Sequence, residues 1–276
     1  MKMARTFQPV GQGAFYTERF CNDDGGSFNI VYDCGSDSID YESLSKVIQN
    51  SFAKGSVIDA VFISHFDNDH VNGLPAFMKN FWVKKIFLPV VTGAVEIAYW
   101  RFKSNVDSSE GKKGIMPVAD RFLDPDNADS EKIFRDISLQ NIPEVIRIQQ
   151  FESDSMIDVE EFNPCDNFGL PNWRFVPFNF RRFEREPDFR SVLQEALEVS
   201  SPDTMLDDFI SEPTNVFRKI GLDESKKLLR NINKIIRDRL RTKGFRGRFG
   251  SINANSMVLY SGEKDVDGQS GLNLRC

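Results

Sequence analysis

The sequence predicts an α/β protein whose helices pack outside a sheet. Apolar, β-branched or aromatic runs at 28–32, 57–63 and 83–89 read as strands. Between them Leu44, Val47, Ile48 and Phe52, and then Leu74, Phe77, Met78 and Phe81, recur at helical spacing. With 276 residues, 40% hydrophobic and 28% charged, the chain has the balance of a soluble globular protein. It is long enough for one large domain or for a domain with an insertion.

In chain order, residues 7–15 read as a strand, a turn at Gly11 and Gly13, and a second strand. The two glycines permit a tight bend and close approach by another segment. A phosphate-binding reading fails because no helix follows. Asn22-Asp23-Asp24-Gly25-Gly26 signals a hairpin, and the returning strand ends in Asp33-Cys34-Gly35. Ser38 or Asp40 can cap the first helix, which Gly55 ends.

The stretch 64–74 holds the chain's two histidines, His65 and His70, with Asp67 and Asp69 between them. Imidazole and carboxylate donors suit zinc, manganese or iron. A tight loop between strand and helix lets these side chains converge. Two adjacent ions could share them, His65 with Asp67 and Asp69 with His70. The competing reading is an aspartate-rich turn that caps the following helix.

Ser64-His65-Phe66-Asp67-Asn68-Asp69-His70, behind a hydrophobic strand, resembles the H-x-H-x-D-H signature of the metallo-β-lactamase-fold hydrolases. Asp67 stands where most members place a second histidine. That variant is similar to the "SHxDxDHIxGL" segment in the metallo-β-lactamase domain of bacterial DNA-uptake competence proteins. The likeness spans residues 5–92 and 250–262. It includes the Gly11-Gln12-Gly13 turn, which resembles "VGQGDA" with Ala14 in place of Asp, and Asn253-Ala254-Asn255-Ser256, which resembles the strand reopening the family's second half.

The resemblance implies an αββα sandwich with a core at 1–92 and 250–276 and an α/β insertion at about 93–249. It also implies metal-dependent hydrolysis of phosphodiesters in nucleic acid, with two zinc or manganese ions in the complete domain. His65, Asp67, Asp69 and His70 would be the ligands, and Asp69 would also orient the attacking water. Asp33 would support the metal loop by hydrogen bonds, and Asn72 and Gly73 would shape it. An ordinary strand-ending turn is the plainer alternative for Asp33.

In competence-type members a further strand leads to a "TGD" whose aspartate bridges the metals, and an "HHGS"-like segment supplies more imidazole. Neither occurs here, so the expectation is an αββα domain incomplete at its C-terminus. A missing C-terminal region or a partner chain would complete it, and this chain alone would hold one ion or none tightly. The alternative is a non-catalytic or regulatory binding module of a bacterial defence or DNA-handling system.

Residues 103–130, rich in Ser, Asp, Gly and Lys, read as a mobile excursion. A helix is expected between 130 and 151, followed by a strand at 145–148, a strand at 173–180 and a helix around Phe189–Leu197. A further helix, 224–242, opposes an apolar stripe of Leu228, Leu229, Ile232, Ile235, Ile236 and Leu240 to Lys226, Lys227, Arg230, Lys234, Arg237 and Arg241. Such a face is either solvated or a nucleic-acid contact.

The net charge of −6 and pI near 5.2 give no global attraction to nucleic acid. No apolar run approaches ~20 residues, so no membrane segment is expected. The N-terminus lacks the apolar core of a secretion signal. Four scattered cysteines fit reduced thiols in a cytoplasm.

Overall fold

The first sheet grows from a hairpin. In this computed structural model, which describes residues 2–91, 93–109, 143–148, 150–151, 173–180, 185–249 and 257–263, the turn after Asn22 closes as the sequence suggests. Asn22 N donates to the Gly26 carbonyl at 2.9 Å, and Gly25 takes φ 87°. Strands β1 (Lys2–Phe7), β2 (Tyr16–Cys21) and β3 (Ser27–Tyr32) pair antiparallel. Then β4 (Val57–Phe62), β5 (Trp82–Pro89) and β6 (Glu144–Ile148) continue the sheet in parallel, in chain order.

Parallel pairing needs crossovers, and helices supply them. Between β3 and β4 runs α1 (Tyr41–Ser51), capped by Asp40, whose side chain accepts from Ser43 N. Between β4 and β5 lie α2 (Asn68–Val71) and α3 (Leu74–Asn80). The apolar sides of α1 and α3 meet around Ile48, Phe52, Phe77 and Phe81.

A second sheet contains β7 (Gln150–Phe151), β8 (Trp173–Phe180) and β9 (Val258–Glu263). The two sheets meet through Phe20, Phe28, Ile30, Phe62 and Phe87 on one side and Phe175 and Met257 on the other. Phe62 and Phe87 stack with centroids 4.4 Å apart. Because β4 is covered on both sides, its run from Ile58 to Phe62 is buried throughout, apolar except for Asp59, whose carboxylate accepts from Asn29 N at 2.8 Å and from Lys84 Nζ at 2.6 Å.

The chain divides into two compact units, Met1–Val90 with Ala128–Phe180 and Ser256–Cys276, and Val91–Asn127 with Arg181–Asn255. The stretch expected as an insertion, 93–249, therefore serves both units, since β6, β7 and β8 join the sheets of the first. Within the second unit are α4 (Ala94–Ser109), α5 (Arg185–Ser200), α6 (Leu206–Ser211), α7 (Pro213–Arg239) and α8 (Lys243–Phe249). Its core includes Tyr99, Phe102, Phe189, Leu193, Phe209, Leu228, Ile232 and Ile236.

Two sequence expectations change here. Residues 103–109 belong to α4 instead of a mobile excursion, because Phe102 and Val106 bury against the helical core. The helix expected from Glu224 begins at Pro213 and is interrupted at Gly221, where φ is 77°. The remainder of the excursion, the helix expected between 130 and 151 apart from β6, and the last strand at 272–276 fall outside the described residues.

The buried faces set a direct contrast. Phe62→Ala should cost about 3–5 kcal/mol in urea unfolding. Phe7→Ala, at a residue 85% exposed, should stay within about 0.5 kcal/mol.

Candidate metal centre

Parallel pairing of β3 with β4 sets Tyr32 beside Phe62, so the residues that leave the two strand ends emerge side by side. Asp33 N donates to the Phe62 carbonyl at 2.8 Å, which brings the Asp33 side chain to Ser64. Asp33 is fully buried and takes φ 55°, a left-handed backbone that aspartate tolerates better than most side chains. Its Oδ1 accepts from Ser64 N at 2.7 Å, and its Oδ2 accepts from Ser64 Oγ at 2.6 Å. His70 Nδ1 lies 2.8 Å from the same Oδ2.

The expected donors come together in pairs. His65 Nε2 stands 3.3 Å from Asp67 Oδ2, and His70 Nε2 stands 3.8 Å from Asp69 Oδ2. The two imidazole centroids are 3.9 Å apart. Asp69 and His70 sit on the single turn of α2 and not on an irregular loop, because His70 N bonds back to the Asp67 carbonyl. Asp67 occupies the cap position of α2, yet its side chain makes no capping hydrogen bond.

The surrounding backbone clamps this turn. Ala14 N donates to the Asp69 carbonyl at 3.1 Å, Cys34 N to the His70 carbonyl at 2.7 Å, and Gly73 N to the Cys34 carbonyl at 2.8 Å. The Asn72 side chain brackets Ser36, accepting from its N at 3.0 Å and donating to its O at 2.6 Å. Three glycines are required by proximity, Gly73 among them, where a Cβ would lie 2.6 Å from the Cys34 carbonyl oxygen. A Cβ on Gly13 would lie 2.6 Å from the Asp69 carbonyl oxygen, and one on Gly35 would lie 2.5 Å from the Asp69 carbonyl carbon.

Charge is concentrated here. Burial pushes the Asp69 carboxyl above the usual carboxylate range; His70 pulls it down, while Asp67 and Asp37 push it further up. Burial also disfavours a charged His70, but hydrogen bonding and charge from Asp33, with the charges of Asp69 and Asp67, raise its pKa overall. A cation would relieve the mutual repulsion of these carboxylates.

The donor chemistry, imidazole Nε2 facing carboxylate oxygen, fits a borderline divalent ion. The arrangement consists of two two-donor pairs: among the described residues no three His, Cys, Asp or Glu side chains form a group that could hold an ion.

Sequence reasoning missed Ser64 and Asp37. Ser64 Oγ is 2.8 Å from His65 Nδ1 and 3.3 Å from His70 Nδ1 as well as bonded to Asp33. Asp37 accepts from Asn68 Nδ2 at 2.9 Å. The only available signal for Ser64 was its place next to His65. Beside the Gly11–Gly13 turn is a cavity of about 680 Å³ whose lining includes Arg5, Phe7, Gly13, Tyr16 and Tyr32.

The expected nucleic-acid residues lie in the second unit, on α7 and just beyond it. Arg230, Lys234 and Arg237 are exposed at helical spacing on one face. Lys227 pairs with Glu224 at 3.3 Å, and Arg241 pairs with Asp238 at 3.6 Å. Lys226 is half-buried. Arg239 is bound to Glu195 of α5. Acidic partners thus come both from the same stretch of chain and from a neighbouring helix.

The clamp gives a direct test. Gly13→Ala should lose about 1–3 kcal/mol in urea unfolding, because its Cβ would meet fixed backbone at a φ of 136°.

Among known proteins, residues 23–134 match the family model described as the metallo-beta-lactamase superfamily. No curated protein matches the chain. The matched span contains Asp33, Ser64 and all four donors, and the mixed α/β architecture is consistent with that fold. No helix among the described residues is long and apolar enough to cross a membrane. It is thus over residues 23–134, the part that carries the centre, that this protein is similar to the metallo-beta-lactamase superfamily.

Proposed function

We propose that this protein is a metal-dependent hydrolase acting on phosphodiester bonds of nucleic acid, with His65, Asp67, Asp69 and His70 holding the metal. One observation carries the reading: two imidazoles, each with Nε2 facing a carboxylate, stand 3.9 Å apart at the carboxyl ends of parallel strands. The superfamily match points the same way. Zinc or manganese held there would supply Lewis acidity and lower the pKa of a bound water. Asp69 would also orient that water. The cavity beside Gly13 offers room for the part of a substrate that does not react.

Nucleic acid as the substrate is the finer claim. It rests on the resemblance to competence-type domains and on the exposed Arg230, Lys234 and Arg237. A second reading, a binding module without turnover, is favoured by the two-donor pairs, since a catalytic zinc usually takes three protein ligands and water.

Metal titration beside a cleavage assay separates the readings. The expected outcome is one tightly held divalent ion per chain and slow cleavage of single-stranded nucleic acid, both lost in His70→Ala. Metal uptake without cleavage favours the binding module, and absence of uptake overturns the metal reading itself. In a binding assay against salt, replacing Arg230, Lys234 and Arg237 together by Gln should flatten the logarithmic slope by roughly 2. An unchanged slope would remove α7 from the interface.

A further inference from the structure

Ser64 is 4% exposed and is held from both sides, its N by Asp33 Oδ1 at 2.7 Å and its carbonyl by Met257 N at 2.7 Å. A serine hydroxyl has one hydrogen to give, while a carboxylate has only acceptors. The shortest contact of Ser64 Oγ is to Asp33 Oδ2, at 2.6 Å, so its hydrogen is committed there. Toward His65 Nδ1, at 2.8 Å, Oγ can then only accept, which requires a hydrogen on that nitrogen. His70 Nδ1, 2.8 Å from Asp33 Oδ2, must likewise be a donor.

We propose that Ser64 is a positioning residue that, together with Asp33, fixes both imidazoles in the Nδ1–H tautomer and turns both Nε2 lone pairs toward the Asp67 and Asp69 carboxylates. One buried carboxylate thereby sets two rings, His70 directly and His65 through the serine hydroxyl. The positioning role rests on the metal reading proposed above; the tautomers do not. A ring in the other tautomer would offer an N–H where a cation needs a lone pair.

The chain contains two histidines, so long-range proton–nitrogen NMR of the 15N-labelled full chain reports each ring separately. The measurement is made without metal, at a pH above the titration of both rings. In the wild type both rings should show the Nδ1–H pattern. Ser64→Ala should release His65 into a mixture of tautomers and leave His70 unchanged, and Ser64→Thr, which keeps the hydroxyl, should restore His65. Preserved amide dispersion in Ser64→Thr guards against a folding artefact.

An Nε2–H pattern for His65 in the wild type, or no response of His65 to Ser64→Ala, would overturn the assignment. Zinc affinity gives the second readout, with a loss of about 10–100-fold expected in Ser64→Ala. The stated tautomers with undiminished zinc affinity in Ser64→Ala would overturn the positioning role. The stated tautomers with no zinc uptake in any variant would sustain the hydrogen-bond assignment and sink the metal reading.

Discussion

A single buried carboxylate organises the centre of this protein. Asp33 takes hydrogen bonds from the backbone and hydroxyl of Ser64 and faces the ring of His70, joining the ends of two adjacent parallel strands. Unpaired, a charge at that depth would be strongly unfavourable, and removing one of several partners leaves the rest exposed to that cost. The left-handed backbone of Asp33 is the local strain that places the carboxylate there. Strain of this kind persists when neighbouring structure over-determines it, and here the β3–β4 ladder does so.

The strand order explains why the donors can converge at all. Parallel strands deliver successive crossovers to the same edge, so Asp33 after β3 and Ser64 to His70 after β4 arrive together. The Gly13 and Gly35 segments then press against the turn bearing Asp69 and His70. What the sequence marks as a Gly-x-Gly turn thus serves as a backbone clamp on the metal-seeking turn.

Much of this could be read from the residues alone, for physical reasons. Buried parallel strands such as β4 advertise themselves as largely apolar runs, and α1 and α3 as helical stripes. His65, Asp67, Asp69 and His70 stood out because the chain's two histidines and two aspartates are crowded into six positions. Ser64 did not stand out: its partner Asp33 lies 31 residues away, and serine is common in turns. The pairing of Arg239 was also hidden, since its partner Glu195 belongs to another helix. The division of 93–249 between two units depends on β6 and β8 pairing with distant strands, which local periodicity does not encode.

The account as a whole stands on cation binding between the two histidines. The most direct measurement is anomalous diffraction at the zinc edge from crystals of the full chain grown with zinc. The account predicts a peak at about 2.0–2.2 Å from the Nε2 atom of His65 or His70, with Asp67 or Asp69 beside it. Density showing both rings intact and turned to protein partners alone, with no peak between them, would contradict it.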